Sequence, residues 1–112
     1  MKSLLVKDLP TFLKRFGNFV DGEFRDVQII SPTNIKVIIA AQDEARGFDW
    51  LTIEFEFYDV SNASLIDNNK LLHVDMSDGL NITHEDNNFI FKTNNATFQI
   101  SSSSIKYQEE QF

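Results

Sequence analysis

Cysteine is absent from this chain, which excludes disulfides, zinc–thiolate sites, iron–sulfur clusters and thiol catalysis. Glycine and proline are scarce, at four and two residues, so Asn, Asp and Ser must make most of the turns. Long apolar runs are missing as well. The N-terminal stretch Met1 to Asp8 offers a Lys and then only Leu4, Leu5 and Val6 in a row. A secretory leader needs a longer apolar stretch, and no later segment approaches a membrane span. The expectation is a cytoplasmic protein with no membrane association. Positive charge is in short supply: ten Lys and Arg stand against 17 Asp and Glu, for a net charge of −7. Such a surface repels phosphate backbones, which argues against nucleic-acid binding. It keeps a small protein in solution, and it can also form an acidic face for a basic partner.

What is present is core-forming. Eleven of the 112 residues are Phe and 42% of the chain is hydrophobic, enough for a packed core without covalent staples. No internal repeat or linker divides residues 1–112, so a single domain is expected. The convincing helix runs from Pro10 to Phe16. Pro10 suits a first helical turn, Leu9, Phe12, Leu13 and Phe16 form one apolar stripe, and Gly17 can close the C-terminus. A helix of two turns must dock on something to persist.

From Val20 onward the apolar period becomes two. The longest strand, Phe48 to Val60, alternates Leu51, Ile53, Phe55 and Phe57 with Thr52, Glu54, Glu56 and Tyr58, which gives one buried and one wet face. Three hairpins follow from matching faces. The loop Pro32-Thr33-Asn34 sets Val27 and Ile29 against Ile39 and Val37. The loop Ser77-Asp78-Gly79, with Gly79 left-handed, sets Met76 and Val74 (in a strand with Leu72) against Leu80 and Ile82. A two-residue Asn94-Asn95 turn sets Phe91 and Phe89 against Phe98 and Ile100. Apolar positions then lapse through Ser101 to Ser104 and resume out of phase at Ile105 and Tyr107, which implies a bulge or bend. The tail Gln108 to Phe112 is expected to fray. The fold class is therefore α+β: a strongly curved, predominantly antiparallel sheet or half-open barrel of six to eight strands, with one short N-terminal helix on its apolar side.

Candidate chemistry is thin. His73 and His84 point to opposite faces in this register, and a metal site needs three or four converging ligands, so no metal or other cofactor is expected. Asp75 to Gly79 lacks the alternating oxygen ligands and closing Glu of a calcium loop, and no nucleotide-binding or metalloprotease motif occurs. No catalytic residue is assigned. The suggestive surface is the outer face of the long strand, Trp50, Glu54, Glu56 and Tyr58, together with the charged linker residues Asp43, Glu44 and Arg46. Aromatics beside acids suit a basic protein partner, because aromatics carry interface energy and acids orient the encounter.

The segment Phe16-Gly17-Asn18-Phe19-Val20-Asp21-Gly22-Glu23-Phe24, then Val27 and Ile29, then the long strand Ile53-Glu54-Phe55-Glu56-Phe57, has a distinctive order. Over residues 10–60 that order resembles small β-rich bacterial families, including immunity proteins of polymorphic toxin systems. The resemblance implies a non-enzymatic, acidic protein-binding module. The alternative is a small-ligand binder or minor enzyme with its site on the concave side of the sheet, near the Asp43–Gly47 loop.

Overall fold

A computed structural model describes residues 1–66 and 68–111, with the side chains of Asn68 and Leu72 outside the described set. The strands are β1 (Lys2–Ser3), β2 (Glu23–Ser31), β3 (Asn34–Asp43), β4 (Asp49–Ser64), β5 (Leu80–Glu85), β6 (Asn88–Thr93) and β7 (Gln99–Gln111). One α-helix, α1 (Leu9–Arg15), precedes β2, and short 3₁₀ turns occupy Val6–Asp8, Glu44–Arg46 and Asn68–His73. Among the described residues the strands form one seven-stranded antiparallel sheet in the order β2-β3-β4-β7-β6-β5, with β1 added to β7. Because β2 and β5 end that path and do not pair, the sheet is open and no barrel closes.

The helix forms where its apolar spacing places it. Leu9, Phe12, Leu13 and Phe16 are all buried, Pro10 lies in the first turn, and Gly17 follows at φ 57°. The stripe packs onto the inward row of β4. Phe12 meets Phe55 at 6.0 Å between ring centres and Tyr107 at 4.8 Å. Phe55 and Phe57 in turn meet Phe91 at 5.4 and 5.1 Å. Leu51, Ile53, Phe55 and Phe57 are all buried, as their alternation requires. Fully burying a Phe side chain contributes roughly 2–3 kcal/mol, so this continuous aromatic seam is the main support of the domain.

Register departs from expectation in a consistent way. Val27 pairs with Val37 and Ile29 with Ile35, because the turn is only Pro32-Thr33 and the Ser31 hydroxyl accepts the Thr33 N–H. Phe91 pairs with Ile100, because residues 94–97 form a four-residue loop in which Thr93 Oγ1 accepts the N–H groups of Thr97 and Phe98. Both corrections shift the pairing by two residues, which leaves every side chain on its face. The two-residue left-handed turn lies instead at Asp86-Asn87, at φ 51° and 63°.

The middle hairpin does not form. Asn68–His73 is a 3₁₀ turn, and residues 74–76 reach β5 as irregular chain; the expected facing of Leu72 lies outside the described residues. The phase slip in the serine run is present. Ser102 and Ile105 are buried around exposed Ser103 and Ser104, opposite Asp59 at φ 53° and a register shift between Val60 and Asn62. The tail is not frayed through Gln111, which pairs with Leu51; Phe112 lies outside the described residues.

Gly79 has the expected positive φ, 75°, and closes a turn by donating to the Met76 carbonyl. Its necessity is also steric, since a Cβ there would sit 2.3 Å from the Asn18 carbonyl oxygen. Gly79→Ala is expected to cost about 2–3 kcal/mol, through left-handed strain and displacement of the Gly17–Gly22 segment. Chemical denaturation measures this, and an unchanged midpoint would contradict the packing described.

Candidate functional site

The inward rows of β3 and β7 end on acids. On β3, Val37, Ile39 and Ala41 lead to Asp43, which has no solvent exposure. On β7, Ile105 and Tyr107 lead to Glu109. A buried carboxylate is costly unless it is paired and hydrogen-bonded, and the last residue of α1 supplies the cation. Arg15 Nε and Nη2 donate to the two Asp43 oxygens at 2.9 and 2.7 Å. Its Nη1 and Nη2 donate to Glu109, the latter at 3.0 Å. Arg46 approaches both acids, at 3.4 Å from Asp43 and 3.8 Å from Glu109. The Arg15 hydrogen bonds hold the Asp43 carboxyl below its usual value of 3.8 despite burial, helped by the Ala45 N–H. The same carboxylates push the Arg15 guanidinium further up.

The second group of expected residues lies on the opposite face of the sheet. Glu54, Glu56 and Tyr58 project outward from β4, half-buried, and Trp50 begins the row at 37% exposure. Both glutamates have partners within the chain. Glu54 accepts from Gln108 Nε2 at 2.7 Å. Glu56 accepts from the Tyr58 hydroxyl and from Asn34 Nδ2, and lies 3.6 Å from Lys36 Nζ. The Tyr58 hydrogen bond holds the Glu56 carboxyl below its ordinary value, and the Tyr58 hydroxyl is raised in return. Lys106, opposite Glu56 on β7, lies over the Tyr58 ring. The cation beside Glu56 is thus supplied inside the chain by Lys36, whereas Glu54 is met by the neutral amide of Gln108.

The expected residues therefore fall into two separate sets. Glu54, Glu56, Tyr58 and Trp50 share the outer face. Asp43 lies beneath the surface as the partner of Arg15, with Arg46 beside it, and Glu44 is exposed on the loop between β3 and β4. Sequence reading missed Arg15 and Glu109. Arg15 looks like an ordinary helix-terminal cation, and Glu109 fell in a tail expected to fray. The one available signal was Asp43 itself, an acid on the inward parity of β3. His73 borders an open groove of about 550 Å³ with Ile66, Lys70 and Thr97, while His84 meets the edge of Phe89. Among the described residues, no three His, Asp or Glu converge as metal ligands, and no helix is long and apolar enough to cross a membrane. Comparison with protein-family models, curated proteins and solved structures found no significant match.

Arg15→Met leaves Asp43 buried without its principal partner and should cost about 3–5 kcal/mol at neutral pH. The sign of the pH dependence follows from the lowered Asp43 pKa. The wild-type pair contributes fully above the usual carboxylate value and loses that contribution as pH falls through the lower folded value. Arg15→Met should therefore differ most from wild type at pH 7 and least in acid. Parallel losses at all pH values, in denaturation from pH 2 to 7, would contradict the assignment.

Proposed function

We propose that this chain is a non-enzymatic, cytoplasmic binding module that presents the outer face of β2, β3, β4 and β7 to a basic protein, in the manner of bacterial immunity-type proteins. The observation that carries this reading is the composition of that uncovered face. Pairing aligns Glu23, Asp26, Glu54, Glu56 and Glu110 outward, against Lys36 and Lys106, with Arg25 paired to Glu23 at 3.0 Å. The buried residues of α1 and of the turns join the core from the other side. The outward rows are half-buried or exposed, except for the small Ala40. Acids in excess on a rigid sheet set up a field that steers a cationic partner, while Trp50 and Tyr58 supply contact area at low entropic cost.

The ligand-binding alternative has less support. The inward space beside the Asp43–Gly47 loop is occupied by Arg15, whose pairing with Asp43 and Glu109 serves the fold. Two open clefts border that group: one of about 240 Å³ between the N-terminal segment and α1, beside Leu4, Phe12, Arg15 and Tyr107, and one of about 360 Å³ beside Arg46, Asp49 and Trp50.

The test pairs Glu54→Lys with Glu56→Gln, which reverses one charge and removes another without setting three lysines side by side. Affinity capture with the wild type should retain a basic protein that is released as salt rises, since screening acts over roughly 8 Å at physiological ionic strength. The double variant should bind that protein about tenfold more weakly with its melting temperature little changed. Equal binding by both forms would sink the proposal.

A further inference from the structure

Among the described residues, two aromatic residues hold a left-handed backbone, Phe19 at φ 58° and Phe48 at φ 66°. Such a conformation is unfavourable for a bulky side chain. Phe19 has a compensation, because it is fully buried in the aromatic core. Phe48 has none of that kind, since 59% of it faces solvent. The loop that carries it is nonetheless fixed. The Phe48 N–H donates to the Asp43 carbonyl at 2.8 Å, and the Phe48 carbonyl accepts from Gln42 Nε2 at 3.3 Å. Asp43 also accepts the Ala45 N–H, and its carboxylate is held by Arg15. A buried ion pair thus holds a hairpin tip that carries an exposed aromatic ring on a left-handed backbone.

We propose that Phe48 is the anchor of the protein-binding surface, inserting into an apolar socket ringed by Lys or Arg on the basic partner. This rests on the reading of the outer face as a binding surface and extends it to the hairpin tip, where Trp50 begins that face. The charge of the partner follows from the flanks. Glu44 and Asp49 are both exposed on either side of Phe48, and the one cation between them, Arg46, is turned to Asp43 and Glu109, so the tip stays acidic and a socket with a cationic rim meets it favourably. A second copy of this chain, itself at −7, would bring these acids against their own kind near a two-fold axis. Anionic lipid headgroups would repel them in the same way. A preorganised aromatic surrounded by complementary charge is the arrangement that concentrates binding energy in one residue.

The test uses Phe48→Asn, because Asn tolerates the left-handed backbone and the variant should melt at or above the wild-type temperature. The probe is a displayed library of random peptides selected on the wild-type protein, with the selected peptides titrated by the fluorescence of Trp50, the single Trp of the chain. Selected peptides should place an apolar residue among Lys or Arg, and they should bind Phe48→Asn at least about tenfold more weakly. Peptides without basic residues, or binding indifferent to Phe48→Asn, would overturn the proposal. So would Phe48-dependent dimerisation of the free protein in sizing experiments. Loss with Phe48→Asn but not with the Glu54/Glu56 double variant would retain the anchor and reject the outer face. The reverse pattern would reject the anchor alone.

Discussion

The placement of the helix on the sheet depends on one guanidinium. Arg15 ends α1 and binds Asp43 at the end of β3 and Glu109 near the end of β7, so a two-turn helix with little stability of its own is fixed to two strands that do not pair with each other. Without the acids the helix would dock only through its apolar stripe of Leu9, Phe12, Leu13 and Phe16, a contact with no directional bonds to fix its position. The forked geometry of Arg, with two pairs of donors at fixed angles, removes that freedom. A buried ion pair is weak evidence for net stability but a good device for uniqueness of position, and position is what this helix requires. Because Asp43 also caps the β3–β4 loop, the same pair that orients the helix holds the hairpin tip.

The two faces of the central sheet do different work. The inner face is a nearly pure hydrocarbon and aromatic layer, from Val37 and Ile39 through Ile53, Phe55 and Phe57 to Phe91 and Ile100. The outer face is a lattice of short-range polar pairings: Gln108 on Glu54, Tyr58, Asn34 and Lys36 on Glu56, and Lys106 over Tyr58. These pairings hold the outward side chains in defined positions while leaving net negative charge. Acids held by such pairings keep a fixed field, and the left-handed Phe48 stands exposed at the hairpin tip beside them.

Backbone strain is used sparingly and in identifiable places. Gly17, Asn18, Phe19 and Asp21 are all left-handed within five residues, which turns the chain from α1 into β2 in a very short span. The burial of Phe19 and the fit against Gly79 offset that strain. Asp59 performs a similar service in β4, where the left-handed residue and the following shift let a sixteen-residue strand bend while it stays paired to β7.

The sequence by itself determined which residues of β4 face inward, where the helix lies, that β4 is the long central strand and that the serine run breaks phase, although Ile29, read into the apolar row of β2, is 65% exposed. Each of these follows from periodicity, and periodicity is a local property of the chain. It could not determine register. The β2–β3 and β6–β7 pairings both differ from expectation by two residues, and a shift of two preserves the face of every side chain, so hydrophobic pattern is blind to it. Turn chemistry decided those registers, through the Ser31 and Thr93 hydroxyls that accept backbone N–H groups in their own loops. Nor could it determine the middle segment, where Leu72, Val74 and Met76 alternate like a strand in sequence. The chain instead makes a 3₁₀ turn over Asn68–His73 and then runs irregularly to β5, with Met76 buried and Val74 packed against the core. The outer-face acids were legible because alternation exposes them. The Arg15 clamp was not, because its members stand 28 and 94 residues apart and only the folded chain brings an unremarkable helix-end arginine and a tail glutamate to the buried Asp43.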